Sequence, residues 1–221
     1  MARMSLDTFA QEMTQALGSR LVSLLLYGSA ARDGAVDAAS NMNTLLIVND
    51  AARDLFAPLA EPVRRWVAAG HPAPIILTER EWRDSADAFP IEYDDIRDAH
   101  RVLAGKDPWH GIRVDRNDVR RQLEHELMGK LVHLRQVYAA EWKKPKHLAE
   151  VVRGTWPGFL AMLRAVLRLA GRAAPRAPEA LVRDAGAVIG FATDGLTEPL
   201  AYLDAMQRTA EYVNRLERNP S

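Results

Sequence analysis

Apolar positions change their period along the chain, and that change divides it. In "SLDTFAQEMTQALG" Leu6, Phe9, Met13 and Leu17 fall at helical spacing, Ser5 or Asp7 can cap the start and Gly18 suits the end. "LVSLLLY" is short, apolar and closed by Gly28, the pattern of a buried strand. A turn with a short helix follows, then "NTLLIVND" as a second buried strand and "AARDLFAPLAEPVRRWVAAG" as a helix that Pro62 is placed to kink. "APIILTE" reads as a third strand, "EREWRDSADA" as a short helix, "FPIEYDD" as a fourth strand and "DIRDAHRVLAG" as a helix ended by Gly105. Strands alternating with helices predict a mixed sheet covered on at least one face.

From about Gly111 the period is helical throughout. Val119, Leu123, Leu127, Leu131, Leu134 and Val137 recur every three or four residues in "DRNDVRRQLEHELMGKLVHLRQVYAAEW". Three further helical stretches follow, the first of them open to interruption near Pro157, and four helices on short loops predict an antiparallel four-helix bundle. "GRAAPRAP" reads as a loop within the bundle, and "GKDPWHG" marks the junction of two domains, residues 1–110 and 111–221. The fold class expected is α+β.

Composition narrows the functional classes. The 221 residues balance 29 Lys and Arg against 29 Asp and Glu, so no net field draws the chain to nucleic acid, which is not expected as a partner. The absence of cysteine excludes disulfides, thiolate metal sites and a cysteine nucleophile. "MARMSLDTFAQEM" lacks the apolar core of a signal peptide, and no apolar run approaches the roughly 20 residues of a membrane helix. The expectation is a cytoplasmic protein with no membrane contact. The six histidines form no metal motif: His125 and His133 are spaced too far for ligation from one helical face, and surface or interhelical places are expected. "EWKKPKH" with Arg153 makes a small basic patch beside Trp142, read as a solvated loop.

The chemistry-bearing residues lie in one order: a strand ending in Gly28-Ser29, a turn with Gly34, a strand opening with Asn41-Met42-Asn43, and a later acid, Glu92. This resembles the nucleotidyltransferase superfamily with the DNA polymerase β-like fold, whose pattern is Gly-Ser, a Gly a few residues on, Asp-x-Asp and a third acid. The resemblance covers residues 1 to about 110 and is closer to standalone bacterial members than to any one named transferase. It implies that Gly28, Ser29 and Gly34 approach the phosphates of an NTP. It also implies that positions 41 and 43 and Glu92 face a metal site, with Met42 turned to the opposite face. In the family two carboxylates there hold Mg²⁺ ions that clamp the transferring phosphorus.

This chain departs from that pattern at the carboxylates. Asn keeps an oxygen but carries no charge, and Mg²⁺ prefers anionic oxygen. The expectation is therefore a degenerate member with weak Mg²⁺ affinity, catalytically impaired, that binds nucleotide or regulates a protein partner through the helical half. Two alternatives remain open. One is an active Mg²⁺-dependent enzyme moving NMP from an NTP to a hydroxyl of a small molecule or protein, with Glu92, Asp37 or Asp94 replacing a lost ligand. The other is an interaction module with a vestigial site.

Overall fold

The computed structural model describes residues 4–32 and 41–216. The chain divides into two compact units, Met1–Val114 and Asp115–Ser221. The first begins with α1, Leu6–Leu17, whose N-cap Ser5 accepts a hydrogen bond from the Thr8 backbone N–H at 3.1 Å. Strand β1 (Leu21–Tyr27) follows, then α2 (Ser29–Arg32), β2 (Asn43–Val48), α3 (Phe56–Ala68) and β3 (Ile75–Thr78). The unit continues through α4 (Glu79–Asp84), α5 (Pro90–Asp98) and β4 (His100–Gly105). The helix α3 runs on through Pro62.

The strands form one mixed sheet in the order β3-β2-β1-β4, with β1 antiparallel to both its neighbours and β2 parallel to β3. Alternation along β1 and β2 feeds two cores, because successive side chains point to opposite faces. Leu24, Leu26, Leu46 and Val48 pack with Phe9 and Met13 of α1 and Leu59 and Trp66 of α3. Leu25, Leu45 and Ile47 pack with Trp82 of α4 and with Tyr93 and Ile96 of α5. Helices therefore cover both faces, and β1 and β2 read as continuous apolar runs for that reason.

Two sequence expectations fail here. Residues 89–95 are not a strand: Pro90 occupies the first turn of α5, where its missing N–H costs nothing. Residues 95–105 are not one helix, since α5 ends at Asp98 and His100–Gly105 forms β4 at the edge of the sheet. The alternation Phe89, Ile91, Tyr93 resembles a strand, but Ile91, Tyr93, Asp94 and Ile96 are buried together at helical spacing.

In the second unit α6 (Arg116–Glu141) starts at Asp115, whose carboxylate accepts from the Asn117 N–H at 2.7 Å. Val119, Leu123, Leu127, Leu131 and Leu134 are buried and Val137 is half-buried. The remaining helices, α7 (Pro145–Leu169), α8 (Pro178–Ile189) and α9 (Pro199–Arg215), each open with proline in the first turn. Pro157 lies inside α7, which continues through it. Helix α6 packs on α7 and α9, α7 on α8 and α9, and α8 on α9. Among the described residues no helix is long and apolar enough to cross a membrane.

Candidate functional site

The site is built where β1 ends. Gly28 adopts φ +83°, a left-handed conformation that L side chains rarely take, and so turns the chain sharply out of the sheet. Its N–H donates to the Ala99 carbonyl at 3.0 Å, and its own carbonyl accepts from the Ala31 N–H at 3.1 Å. Ser29, exposed, opens the short helix α2. A Cβ placed on Gly28 would lie 3.4 Å from Nδ2 of Asn43, so the amide of Asn43 rests against this turn.

Sheet register assembles the rest. Asn43 pairs with Tyr27 across β1 and β2, and Tyr27 pairs with His100 across β1 and β4. Directly opposed residues share a face, which sets Asn43, Tyr27 and His100 in one row. Met42 points the other way, 6% exposed in the core under α1 and α3, as the alternation requires. Asn41 precedes the first residue of β2 and is exposed. Burial, and then the nearby Glu92 carboxylate, push the Tyr27 phenol above its ordinary value. Glu92 therefore stands near the row, but it comes from the first turn of α5 and not from a strand.

The structure thus brings together Gly28, Ser29 and Asn43, with Glu92 beside Tyr27. Asp94 is buried on α5 and ion-paired with Arg97 three residues on. Gly34 and Asp37 lie outside the described residues. Sequence reasoning missed Tyr27, His100 and His71. Tyr27 could have been found from its place directly before Gly28. The other two needed the fold: His100 because β4 was read as helix, and His71 because it lies 29 residues from Met42, whose N–H it binds. His100 Nδ1 lies 2.9 Å from the Ile96 carbonyl, which fixes that nitrogen as the donor. A groove of about 440 Å³ lies elsewhere, in the second unit, lined by His125, Lys130 and His133 of α6 and by Gly154, Thr155 and Gly158 of α7.

No family model matches the chain, and no curated protein does. Among solved structures, the spectinomycin adenyltransferase AAD(9) from Enterococcus faecialis, with ATP and spectinomycin, is similar to it. The TM-score is 0.51 at 12% identity, over 96% of this chain and 90% of that one. The chain has a nucleotidyltransferase-like fold.

A nucleotidyltransferase-like fold poses the question of Mg²⁺ directly. Among the described residues no group of three or more His, Asp or Glu side chains is placed to hold a metal ion. Positions 41 and 43 offer neutral amides, whose NH₂ groups donate and cannot ligate. At an effective dielectric of 20, one unit charge 4 Å from another contributes roughly 4 kcal/mol, and a divalent ion about doubles that before desolvation. The described residues do not fit Mg²⁺. What they can do is present backbone and amide donors at a tight turn, beside one carboxylate.

Proposed function

We propose that this chain is a nucleotidyltransferase-fold protein that binds a nucleotide or regulates a partner, with little or no transfer activity. In this reading residues 1–110 form the nucleotide-facing domain and residues 111–221 an antiparallel four-helix bundle that meets a protein partner. The observation that carries it is the amide of Asn43 against the left-handed turn of Gly28, with an asparagine also at position 41. The turn that approaches phosphates in the family is kept, while the charges that hold its metals are replaced. An amide donates hydrogen bonds to a phosphate oxygen, whereas a carboxylate repels one, so nucleotide affinity outlasts the loss of metal chemistry.

The test is a calorimetric titration of the protein with ATP and GTP, with and without Mg²⁺, beside the Asn41→Asp/Asn43→Asp double variant. Binding by the unmodified protein, with no nucleotidyl transfer to a hydroxyl acceptor, is expected. Efficient Mg²⁺-dependent transfer by the unmodified protein would overturn the reading. Absence of nucleotide binding until the aspartates are restored would leave the helical unit and its partner as the function.

A further inference from the structure

We propose that His71 is the positioning residue of the candidate site, holding the Asn41-Met42-Asn43 segment in register through the backbone of Met42. Its consequence for nucleotide binding rests on the function proposed above; the positioning itself does not.

His71 follows α3 and is 3% exposed. Its own N–H donates to the Trp66 carbonyl at 3.4 Å, and its ring lies on the Trp66 indole with centroids 4.1 Å apart. Trp66 stacks in turn on Phe9 of α1 at 4.3 Å. The ring is thereby fixed by two helices in a close-packed core, with few alternative rotamers. Its Nδ1 accepts the Met42 N–H at 3.3 Å, inside the protein. A nitrogen that accepts this bond carries no proton of its own, so the ring is held as the tautomer with Nδ1 bare.

The position of that bond gives it its importance. Pairing between β1 and β2 ends at Tyr27 and Asn43, so Met42 lies one residue beyond the ladder. Its buried N–H needs an acceptor, and the sheet does not supply one. His71 extends the ordered part of the segment past the last strand pair. One residue on, the Asn43 amide meets the Gly28 turn, and one residue back, Asn41 faces solvent. Without the His71 acceptor the buried Met42 N–H is left unsatisfied, and the segment gains by shifting toward water, which moves both asparagines. The anchor and the amides occupy opposite faces of the strand, so His71 acts on the site without touching what binds there.

Amide exchange and nitrogen-detected spectra of the full chain test this, with His71→Leu and His71→Asn as variants. Asn sets its side-chain oxygen near the place of Nδ1, while Leu keeps bulk and removes the acceptor. In the unmodified protein, the His71 Nδ1 signal is expected to be that of an unprotonated acceptor; a protonated Nδ1 at neutral pH would overturn the proposal without any variant. In His71→Leu the Met42 amide is expected to exchange about tenfold faster or more, the effect of one lost buried hydrogen bond, with Leu45, Leu46 and Ile47 changing less than about threefold. His71→Asn should return Met42 to within about threefold of the unmodified protein. Equal acceleration throughout β1, β2 and α3 would mean that His71 only fills the core. If His71→Leu does not fold, the Nδ1 signal and the Asn variant still decide. An ATP titration of the same proteins separates the two claims: no binding by the unmodified protein removes the nucleotide reading and leaves the exchange result standing. Equal binding by the unmodified and Leu proteins would refute control of the site by His71.

Discussion

Replacing Gly105 by alanine tests the packing of β4 against β1, the contact that places His100 beside Tyr27. Gly105 sits at φ +80° opposite Ser23. A Cβ there would stand 2.3 Å from the Val22 carbonyl oxygen, 2.9 Å from its carbon and 3.0 Å from the Ser23 Cα. The left-handed conformation costs an L residue about 1–2 kcal/mol. The clash is with backbone of an internal strand, which cannot swing aside as a side chain does. Relief of about 1 Å must come from β4, at the expense of the Lys106 N–H to Val22 carbonyl bond of 3.0 Å, worth about 1 kcal/mol, and of local distortion of about the same size. The expected total is about 3–4 kcal/mol, measured by urea unfolding. Gly111 supplies the control, since it has the same φ of +80° and nothing within 4 Å of a Cβ. Gly111→Ala should cost about 1–2 kcal/mol, from conformation alone. If the two variants differ by less than about 0.5 kcal/mol, the close approach of β4 to β1 is not as described and the reasoning fails.

Two further results are expected. Ser23 and Thr44 are buried in β1 and β2, and their hydroxyls have no hydrogen-bond partner among the described residues; Ser23→Ala and Thr44→Val should each be neutral or stabilise by up to about 1 kcal/mol, and a loss above about 1 kcal/mol would reveal a bond to the hydroxyl. Burial pushes the phenols of Tyr27, Tyr93, Tyr138 and Tyr202 above the ordinary 10.0, Tyr138 to about 12. The folded chain keeps these groups neutral where the unfolded chain ionises them. Their contribution is thus whole below pH 10.0 and is lost as pH rises toward the folded values. Urea unfolding between about pH 9 and 12 should show stability falling, and a flat profile would refute it.

Long apolar periods were legible in the sequence, and the two short elements between Phe89 and Gly105 were not. β1 and β2 are buried on both faces and α6 repeats its apolar stripe over several turns, so each carries its own signal. The segment from Phe89 to Gly105 carries two short elements of opposite type, and reading it as strand then helix inverted both. Pro90 was the available cue, since proline favours the first helical turn and the same device opens α7, α8 and α9. β4 lies at the sheet edge with Arg101 and Val102 exposed, which removes the alternation that would mark it. The same error bore on Glu92, which stands near Tyr27 from the first turn of α5 and not from a strand. His71 left no trace at all, because its bond to Met42 is made by tertiary packing and not by local spacing.

Asparagine at positions 41 and 43 also bears on stability, and this gives the last prediction. Alternate residues along an extended chain lie about 7 Å apart. Two carboxylates at that distance repel by about 2.4 kcal/mol at a dielectric of 20 and about 0.6 kcal/mol in water. Asn41 is exposed, which favours the lower figure, while Glu92 near Tyr27 adds a third negative charge. A catalytic site accepts such repulsion because a cation relieves it; amides make the turn stable with no cation. Asn41→Asp/Asn43→Asp should therefore lose about 0.5–2 kcal/mol in chelator at low salt, less at high salt, and should recover with Mg²⁺. The unmodified protein should gain nothing from Mg²⁺. A double variant equal to the parent in chelator and indifferent to Mg²⁺ would show that positions 41 and 43 do not converge on a common site, and the comparison with the carboxylate pattern would fall with it.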